Sequence, residues 1–366
     1  MKMSQNTLAT SVVENIIPSV RALHPYSLKV TEARVKLNQN ESPWDVPESF
    51  KQHVLERCAA RAWNRYPDFY PQDVLRGLGQ LHGLNESWVM VGNGSNELIA
   101  SVLSAAVGSG QKVAYPIPTF TLYEMMIHAA EGVPVAVPLT DDLQYDREAF
   151  LRLADEGEAH LLLCTPNNPT GSVVEPAFVA ELARRTPRLV LVDEAYVHFG
   201  HHDHSVLLKE YPNVIVLRTL SKALGLAGVR LGYALAHPSL TEHITKVKLP
   251  YNVGVFGLEV ARELLADPTL ADEAAQRLVR ERERLIQALR PMPFARVYDG
   301  QANFVLVRLQ QPGALYDALL AQGILIRNVS HYQGLAGCLR LSVGRPEEND
   351  ELIAALHAWF AEEKNR

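Results

Sequence analysis

The chain is expected to fold as an α/β protein, with a large domain built on a mostly parallel central sheet and a small α+β domain. Three observations predict this. Short apolar runs alternate with helical patterns from Trp88 to Ala236, the signature of a largely parallel sheet covered on both faces. A charged helical stretch from Gly254 to Leu289 follows, and strand-like and helical segments then resume from Pro293 to Arg366 in an order that suits α+β. The 366 residues are enough for two such units. The expected division is residues 1–45 as an N-terminal arm with part of the small domain, 46–280 as the large domain, and 281–366 as the C-terminal small domain.

Residues 1–35 lack sustained periodicity and read as an arm. Trp88 to Val91 is an apolar strand, and Glu97 to Val107 carries helical spacing. Lys112 to Tyr115 reads as a strand, Thr121 to Ala130 as a helix, and Val133 to Val137 and His160 to Cys164 as strands. Pro176 to Arg185 is a helix opened by proline, which is favoured at the first helical position. Leu189 to Val192, Val214 to Leu217 and Leu231 to Leu235 are strands. Further on, Phe304 to Val307 and Leu339 to Val343 are strand-like, as is Ile324 to Ile326, with helices near Leu315 to Ala321 and from Glu348 to Phe360.

Composition narrows the function classes. Hydrophobic residues make up 47% and charged residues 21%, ordinary values for a globular enzyme. A formal net charge of -6 with no basic run argues against a nucleic-acid binder, so an anionic ligand must be met by local arginines. Cys58, Cys164 and Cys338 are scattered and odd in number, with no zinc spacing, which suits a reducing compartment. The N-terminus does not read as a signal peptide, and no apolar run of about 18 residues is present, so a cytoplasmic enzyme without a membrane span is expected.

The segment from Thr219 to Gly232 carries most of the chemistry. Lys222 follows an apolar strand among small and hydroxyl residues, a setting that lowers an amine's pKa and makes it nucleophilic. Thr219, Ser221 and Arg230 around it suit a phosphate. A reactive amine beside a phosphate cradle is what pyridoxal 5'-phosphate (PLP) requires. Asp193 ends a strand, where the ligand crevice of a parallel sheet forms. It either caps the next turn or holds the pyridine nitrogen of PLP protonated, and Lys222 downstream favours the second role. In Thr165-Pro-Asn-Asn-Pro-Thr-Gly171, prolines, asparagines and glycine build a turn, from which Asn168 can donate to the cofactor's phenolic oxygen, with Tyr196 as a second donor. Gly92-Asn-Gly-Ser-Asn-Glu97 places Ser95 at a helix start suited to an anion; the dinucleotide fingerprint fails there because position 97 is Glu. Phe120 is core or stacks on a flat ring. Arg340 and Arg327 lie by apolar strands and either face solvent or clamp a carboxylate or phosphate. The histidines at 198, 201, 202 and 204 read as a solvated loop rather than a metal site.

Together these residues resemble the fold-type-I PLP enzymes, in the aminotransferase branch. Within it the chain most resembles the histidinol-phosphate aminotransferases, through Leu37-Asn-Gln-Asn-Glu-Ser-Pro43, Asn64-Arg-Tyr-Pro-Asp68, Asp193-Glu-Ala-Tyr196, Thr219 through Arg230, and Gly323-Ile-Leu-Ile-Arg327. The resemblance implies that Lys222 bonds the cofactor and Asp193 pairs with its ring nitrogen, with Asn168 and Tyr196 on the phenolic oxygen and Phe120 on the ring, where many relatives carry Tyr or Trp. It implies that Ser95, Asn96, Thr219, Ser221 and Arg230 surround the cofactor phosphate, and that Tyr66 reaches it from a second subunit of a homodimer. Tyr26, Arg327 and Arg340 match positions that bind a substrate phosphate, with Asn168 nearby and Tyr251 beside the site. The implied reaction is amino transfer between L-histidinol phosphate and 2-oxoglutarate. Alternatives on the same scaffold are an aromatic amino-acid aminotransferase and a threonine-phosphate decarboxylase-like enzyme. A non-catalytic PLP-binding protein and a nicotinamide dehydrogenase are the readings from other classes.

Overall fold

The computed structural model describes residues 12–25 and 31–364. Thirteen strands form three sheets among these residues. In chain order they are β1 (Val35–Lys36), β2 (Val89–Gly92), β3 (Lys112–Ile117), β4 (Val133–Pro138), β5 (Ala159–Cys164), β6 (Val190–Asp193) and β7 (Val214–Thr219). There follow β8 (Gly232–Ala236), β9 (Arg296–Tyr298), β10 (Phe304–Arg308), β11 (Ile324–Leu325), β12 (Arg327–Asn328) and β13 (Cys338–Ser342).

The large sheet has the order β2-β8-β7-β6-β5-β3-β4. Its β7, β6, β5, β3 and β4 run parallel, while β8 lies antiparallel between β2 and β7. The central strands Ala-His-Leu-Leu-Leu-Cys and Val-Leu-Val-Asp are buried at every position, as strands covered on both faces must be. Alternate residues feed two cores. Leu161, Leu163, Val190 and Val192 join Phe150, Phe178 and Leu182 on one face. Leu162, Leu191, Ile215 and Leu217 join Leu98, Ile99, Tyr123 and Ile127 on the other. From β3 the chain moves out to β4 and then returns to β5 on the other side of β3, so the connections leave these two neighbours in opposite directions. This is a topological switch point, and it opens a crevice beyond the carboxyl ends of β3 and β5.

An antiparallel sheet of order β12-β13-β10-β9 packs on Leu285, Leu289, Leu315, Leu319 and Leu356. Strand β1 pairs with β11 alone. The run read as one strand over Ile324 to Ile326 is thus divided: 324–325 pair with β1, and 327–328 pair with β13. The helical stretch from Gly254 to Leu289 is two helices, Val255–Ala266 and Thr269–Leu289, broken at Asp267-Pro268, where proline has no amide hydrogen to continue the ladder. Helices Glu48–Ala59, Gln72–Gln80, Arg147–Glu156 and Pro238–Thr245, and strands β1 and β9, are elements that the apolar periodicity does not announce. Glu48–Ala59, for example, buries only Phe50, Val54 and Cys58, a stripe too thin to stand out from its polar surroundings. Within the N-terminal region, Pro18–Arg21 forms one short helical turn. No helix among the described residues is long and apolar enough to cross a membrane.

Candidate active site

One cavity collects most of the residues singled out in the sequence. Its lining includes Ser95, Asn96, Phe120, Asn168, Asp193, Tyr196, Thr219, Ser221, Lys222, Arg230, Arg327 and Arg340. The positions follow from the topology. Asp193 is the last residue of β6, Thr219 the last of β7, and Asn168 and Phe120 lie just beyond β5 and β3. The last two loops are tied across the switch point. Thr119 Oγ1 donates to Asn167 Oδ1 at 2.5 Å, and Asn167 Nδ2 donates to the Pro118 carbonyl at 2.9 Å.

Lys222 is half-buried, and its Nζ donates to the Gln39 carbonyl at 3.2 Å. Burial, reinforced by the charges of Arg340 and Arg230, pushes its amine down to about 8 against the opposing pull of Glu41 and Asp193. Asp193 is 4% exposed. Its Oδ2 accepts from the Tyr123 hydroxyl at 2.6 Å and its Oδ1 from the Ala195 amide at 3.0 Å. Burial raises this carboxyl above its ordinary value, and those two donors only partly oppose it. A cation placed against Asp193 would relieve that cost.

Tyr196 accepts from Asn40 Nδ2 at 3.0 Å, which leaves its own hydroxyl proton to be donated elsewhere. Burial pushes the phenol up to about 12, so the proton is kept at neutral pH. Asn168 Oδ1 accepts from Arg340 Nη1 at 2.6 Å, so the donors of the Asn168 amide point away from the guanidinium. Arg340 also donates from Nη2 to the Asn38 carbonyl at 2.5 Å. Arg327 and Arg340 sit directly opposite one another on β12 and β13. Like charges so placed repel, and an anion between them removes the repulsion.

One end of the cavity lies at the N-terminus of helix Ser95–Ala106. Gly94 caps that helix with φ +79° and offers no side-chain hydrogen bond to its first turn. A Cβ on Gly94 would lie 2.5 Å from Arg230 Nη2, and one on Gly232 would lie 2.5 Å from the Ser95 nitrogen. Bare backbone is therefore needed for the guanidinium and the helix amides to meet at one place. Arg230 Nη1 donates to Ser221 Oγ at 3.2 Å, and Thr219 Oγ1 to the same Ser221 oxygen at 2.9 Å. Arg230 itself adopts φ +58°, a left-handed backbone that costs a non-glycine residue energy.

The residues fit PLP on these grounds: a buried carboxylate with no cation in direct contact, a lowered amine, a hydroxyl and an amide with donors left to offer to the cavity, and an anion cradle that a methyl group would fill. Asn38 Oδ1 is also buried without a hydrogen-bond partner. When bound, PLP supplies an aldehyde for an amine to capture and a protonated ring that draws electrons.

Tyr66, which the resemblance brings to the site from a second subunit, and Tyr251 lie outside this chain's own cavity. They stack on each other at 4.5 Å between ring centres, with Phe69 edge-on to Tyr251. Tyr26 lies outside the described residues. Conversely, Asn38, Gln39, Asn40, Thr119, Tyr123 and Tyr332 line the cavity without having been given a role. The signal for the first three was available in Leu37-Asn-Gln-Asn40, a polar run already among the segments that carry the resemblance; that for Tyr123 was its place in the first turn of helix Leu122–Ala129, three residues after Phe120. The histidine cluster is not a uniformly solvated loop. His201 is exposed, but His204 is 1% exposed and bonded to the buried Glu194.

Residues 32–356 match the family described as aminotransferase class I and II. The chain is 38% identical over 356 residues to histidinol-phosphate aminotransferase from Chlorobium chlorochromatii, covering 96% of this chain and 98% of the relative. It is 39% identical over 330 residues to histidinol-phosphate aminotransferase from Pelodictyon phaeoclathratiforme, covering 90% and 93%. Among solved structures, histidinol-phosphate aminotransferase from Sinorhizobium meliloti in complex with pyridoxal-5'-phosphate superposes with a TM-score of 0.85 at 25% identity, covering 95% of this chain and 98% of the other. L-threonine-O-3-phosphate decarboxylase from Porphyromonas gingivalis superposes at 0.77 with 22% identity, covering 89% and 99%, a likeness of fold alone.

Proposed function

Because this chain belongs to the class I and II aminotransferases, we propose that it binds PLP in the cavity described above and transfers the amino group of L-histidinol phosphate to 2-oxoglutarate. The observation that carries this reading is that Lys222 and Asp193 line one cavity together with Arg230 and Ser95 and with two arginines directly opposite one another on β12 and β13. Supporting the substrate is the 38% identity to the Chlorobium chlorochromatii enzyme over nearly all of both chains.

The side chains divide the work. Ser95, Asn96, Thr219, Ser221 and Arg230 bind the cofactor phosphate, and Phe120 flanks its ring. Asp193 holds the ring nitrogen as a cation; Tyr196 and Asn168 donate to the phenolic oxygen. Arg327 and Arg340 bind the substrate phosphate in one half of the cycle and an oxo-acid carboxylate in the other, with Tyr26 as a further phosphate ligand. Lys222 Nζ is the base that takes the substrate Cα proton, then the acid that returns it. A neutral amine is needed for both the capture of PLP and this proton transfer. Uptake of PLP by cofactor-free protein is therefore expected to speed up as pH rises through about 8, the value to which Lys222 is pushed. Stopped-flow absorbance over pH 6–10 reads this; a midpoint near the ordinary lysine value would count against it.

The paired-substrate assay decides the reaction. Turnover of histidinol phosphate must require 2-oxoglutarate and exceed that of phenylalanine. Release of carbon dioxide from threonine phosphate without any oxo acid would select the decarboxylase instead.

We also infer a homodimer in which Tyr66 reaches the partner's cofactor phosphate and Tyr251 lies beside the shared site. The exposed stack of Tyr66 (81%) with Tyr251, together with Phe69, Tyr70 and the exposed Trp63, supports it, as an apolar aromatic patch of that size favours association. Sedimentation velocity should show a dimer at micromolar protein; a monomer with full activity would remove the shared site. The division at residues 45 and 280 is inferred alongside, supported by the pairing of β1 with β11 and by the separate core around Leu285 and Leu356. A cytoplasmic location is the matching expectation, supported by the three reduced, buried cysteines.

A further inference from the structure

Successive side chains leave a strand on opposite faces. At the end of β6, Asp193 enters the cavity and Glu194 turns to the far side; at the end of β7, Thr219 enters the cavity and Arg218 turns away. Behind the cavity these two hidden residues meet. Arg218 reaches Glu194 Oε2 with Nε at 2.8 Å and Nη2 at 2.7 Å. Glu194 Oε1 accepts from both the backbone amide and the ring Nδ1 of His204 at 2.8 Å. Arg218 Nη2 also pairs with Asp203 at 2.5 Å, and His82 lies against Arg218 Nη1 while bonding the Tyr233 hydroxyl at 3.1 Å. Glu194 is 1% exposed and Arg218 5% exposed.

A buried ion pair is a poor way to gain stability, because desolvation cancels most of the attraction and apolar replacements often serve as well. Its specific effect is geometric. Through one carboxylate, β6, β7 and the loop at Asp203–His204 are tied together, and that carboxylate sits within the four residues from Asp193 to Tyr196. We propose that Glu194 and Arg218 are positioning residues that set Asp193 and Tyr196 toward the cofactor from behind the sheet. The inference rests on the reading that PLP fills the cavity, and it concerns no substrate. If wild-type protein fails to take up PLP, that reading fails, independently of any variant.

The test follows the visible absorbance of the PLP-loaded protein with pH, and the dissociation of PLP in dialysis. In Glu194→Gln the side chain keeps its shape, but Arg218 loses its buried counter-charge and the turn loses its tether. Asp193 and Tyr196 are then held less closely on the ring and less negative potential reaches it, so the titration midpoint of the Lys222–cofactor nitrogen is expected to fall by roughly half a unit or more, and PLP affinity by about tenfold. Arg218→Lys, which keeps the charge beside Glu194, is expected to retain most of the wild-type midpoint. The control is Leu356→Ala, in the core of the small sheet, which lowers the melting temperature without touching the network. A Glu194→Gln midpoint and affinity equal to wild type, or changed no more than in Leu356→Ala, overturns the proposal. Should Glu194→Gln not fold, Arg218→Gln, which cuts the same tie from β7, is read instead; a midpoint and affinity equal to wild type there overturn the proposal equally.

Discussion

Replacing Lys222 with alanine should abolish transamination, with kcat lowered roughly 10⁵- to 10⁶-fold, the scale seen when a covalent catalyst and its proton-transfer function are lost together. In the proposed reaction two roles meet in one Nζ atom, so no neighbouring group can take over either. The nearest cations, Arg340 and Arg230, lower the amine rather than replace it, and a guanidinium stays protonated at any working pH. The phosphate cradle is untouched by the substitution, since Arg230, Ser221 and Thr219 bond among themselves. Lys222→Ala should therefore still retain PLP, but with the absorbance of an aldehyde rather than of a lysine-bound cofactor. Retained turnover together with an unaltered visible band is the pair of results that this account cannot survive.

Asp193→Asn should cost on the order of 10²- to 10³-fold in kcat, the size of effect expected when one buried, preorganised charge facing a developing charge is removed. The substitution is nearly isosteric, and an asparagine oxygen can still accept from the Tyr123 hydroxyl now held at 2.6 Å. What disappears is the negative charge. In the proposed site a neutral neighbour would no longer hold the ring nitrogen protonated, so the electron sink would weaken while the proposed substrate binding at Arg327 and Arg340 would persist. The loss is therefore expected in kcat with KM little changed. A KM effect with intact kcat would mean that Asp193 serves the substrate instead. Removing a buried carboxylate that lacks a protein cation should also leave the cofactor-free protein no less stable, readable as an unchanged or raised Tm.

Much of the site is legible in the chain because it is punctuated locally. An apolar run ending abruptly in a polar residue marks the carboxyl end of a parallel strand, and Asp193, Thr219 and the Asn167-Asn168 turn all sit at such ends. A lysine among serine, alanine and glycine after such a run is recognisable without coordinates, and Gly94-Ser95 after β2 announces its helix start. The contacts that orient these groups are of another kind. Asn40 meets Tyr196, Arg340 meets Asn38 across 302 positions of chain, and Tyr123 reaches Asp193 from a neighbouring helix. The antiparallel insertion of β8 between β2 and β7 and the division of residues 324–328 between two sheets are also invisible in the apolar pattern. His204 looks like its solvated neighbours until Glu194 is seen to claim it. Hydrophobic periodicity and turn chemistry act over a few residues, so they specify which groups emerge at a strand end. Pairing partners, register and the face on which a hydroxyl or guanidinium finally rests depend on distant segments packing together, and that is settled only when the whole chain closes around the cavity.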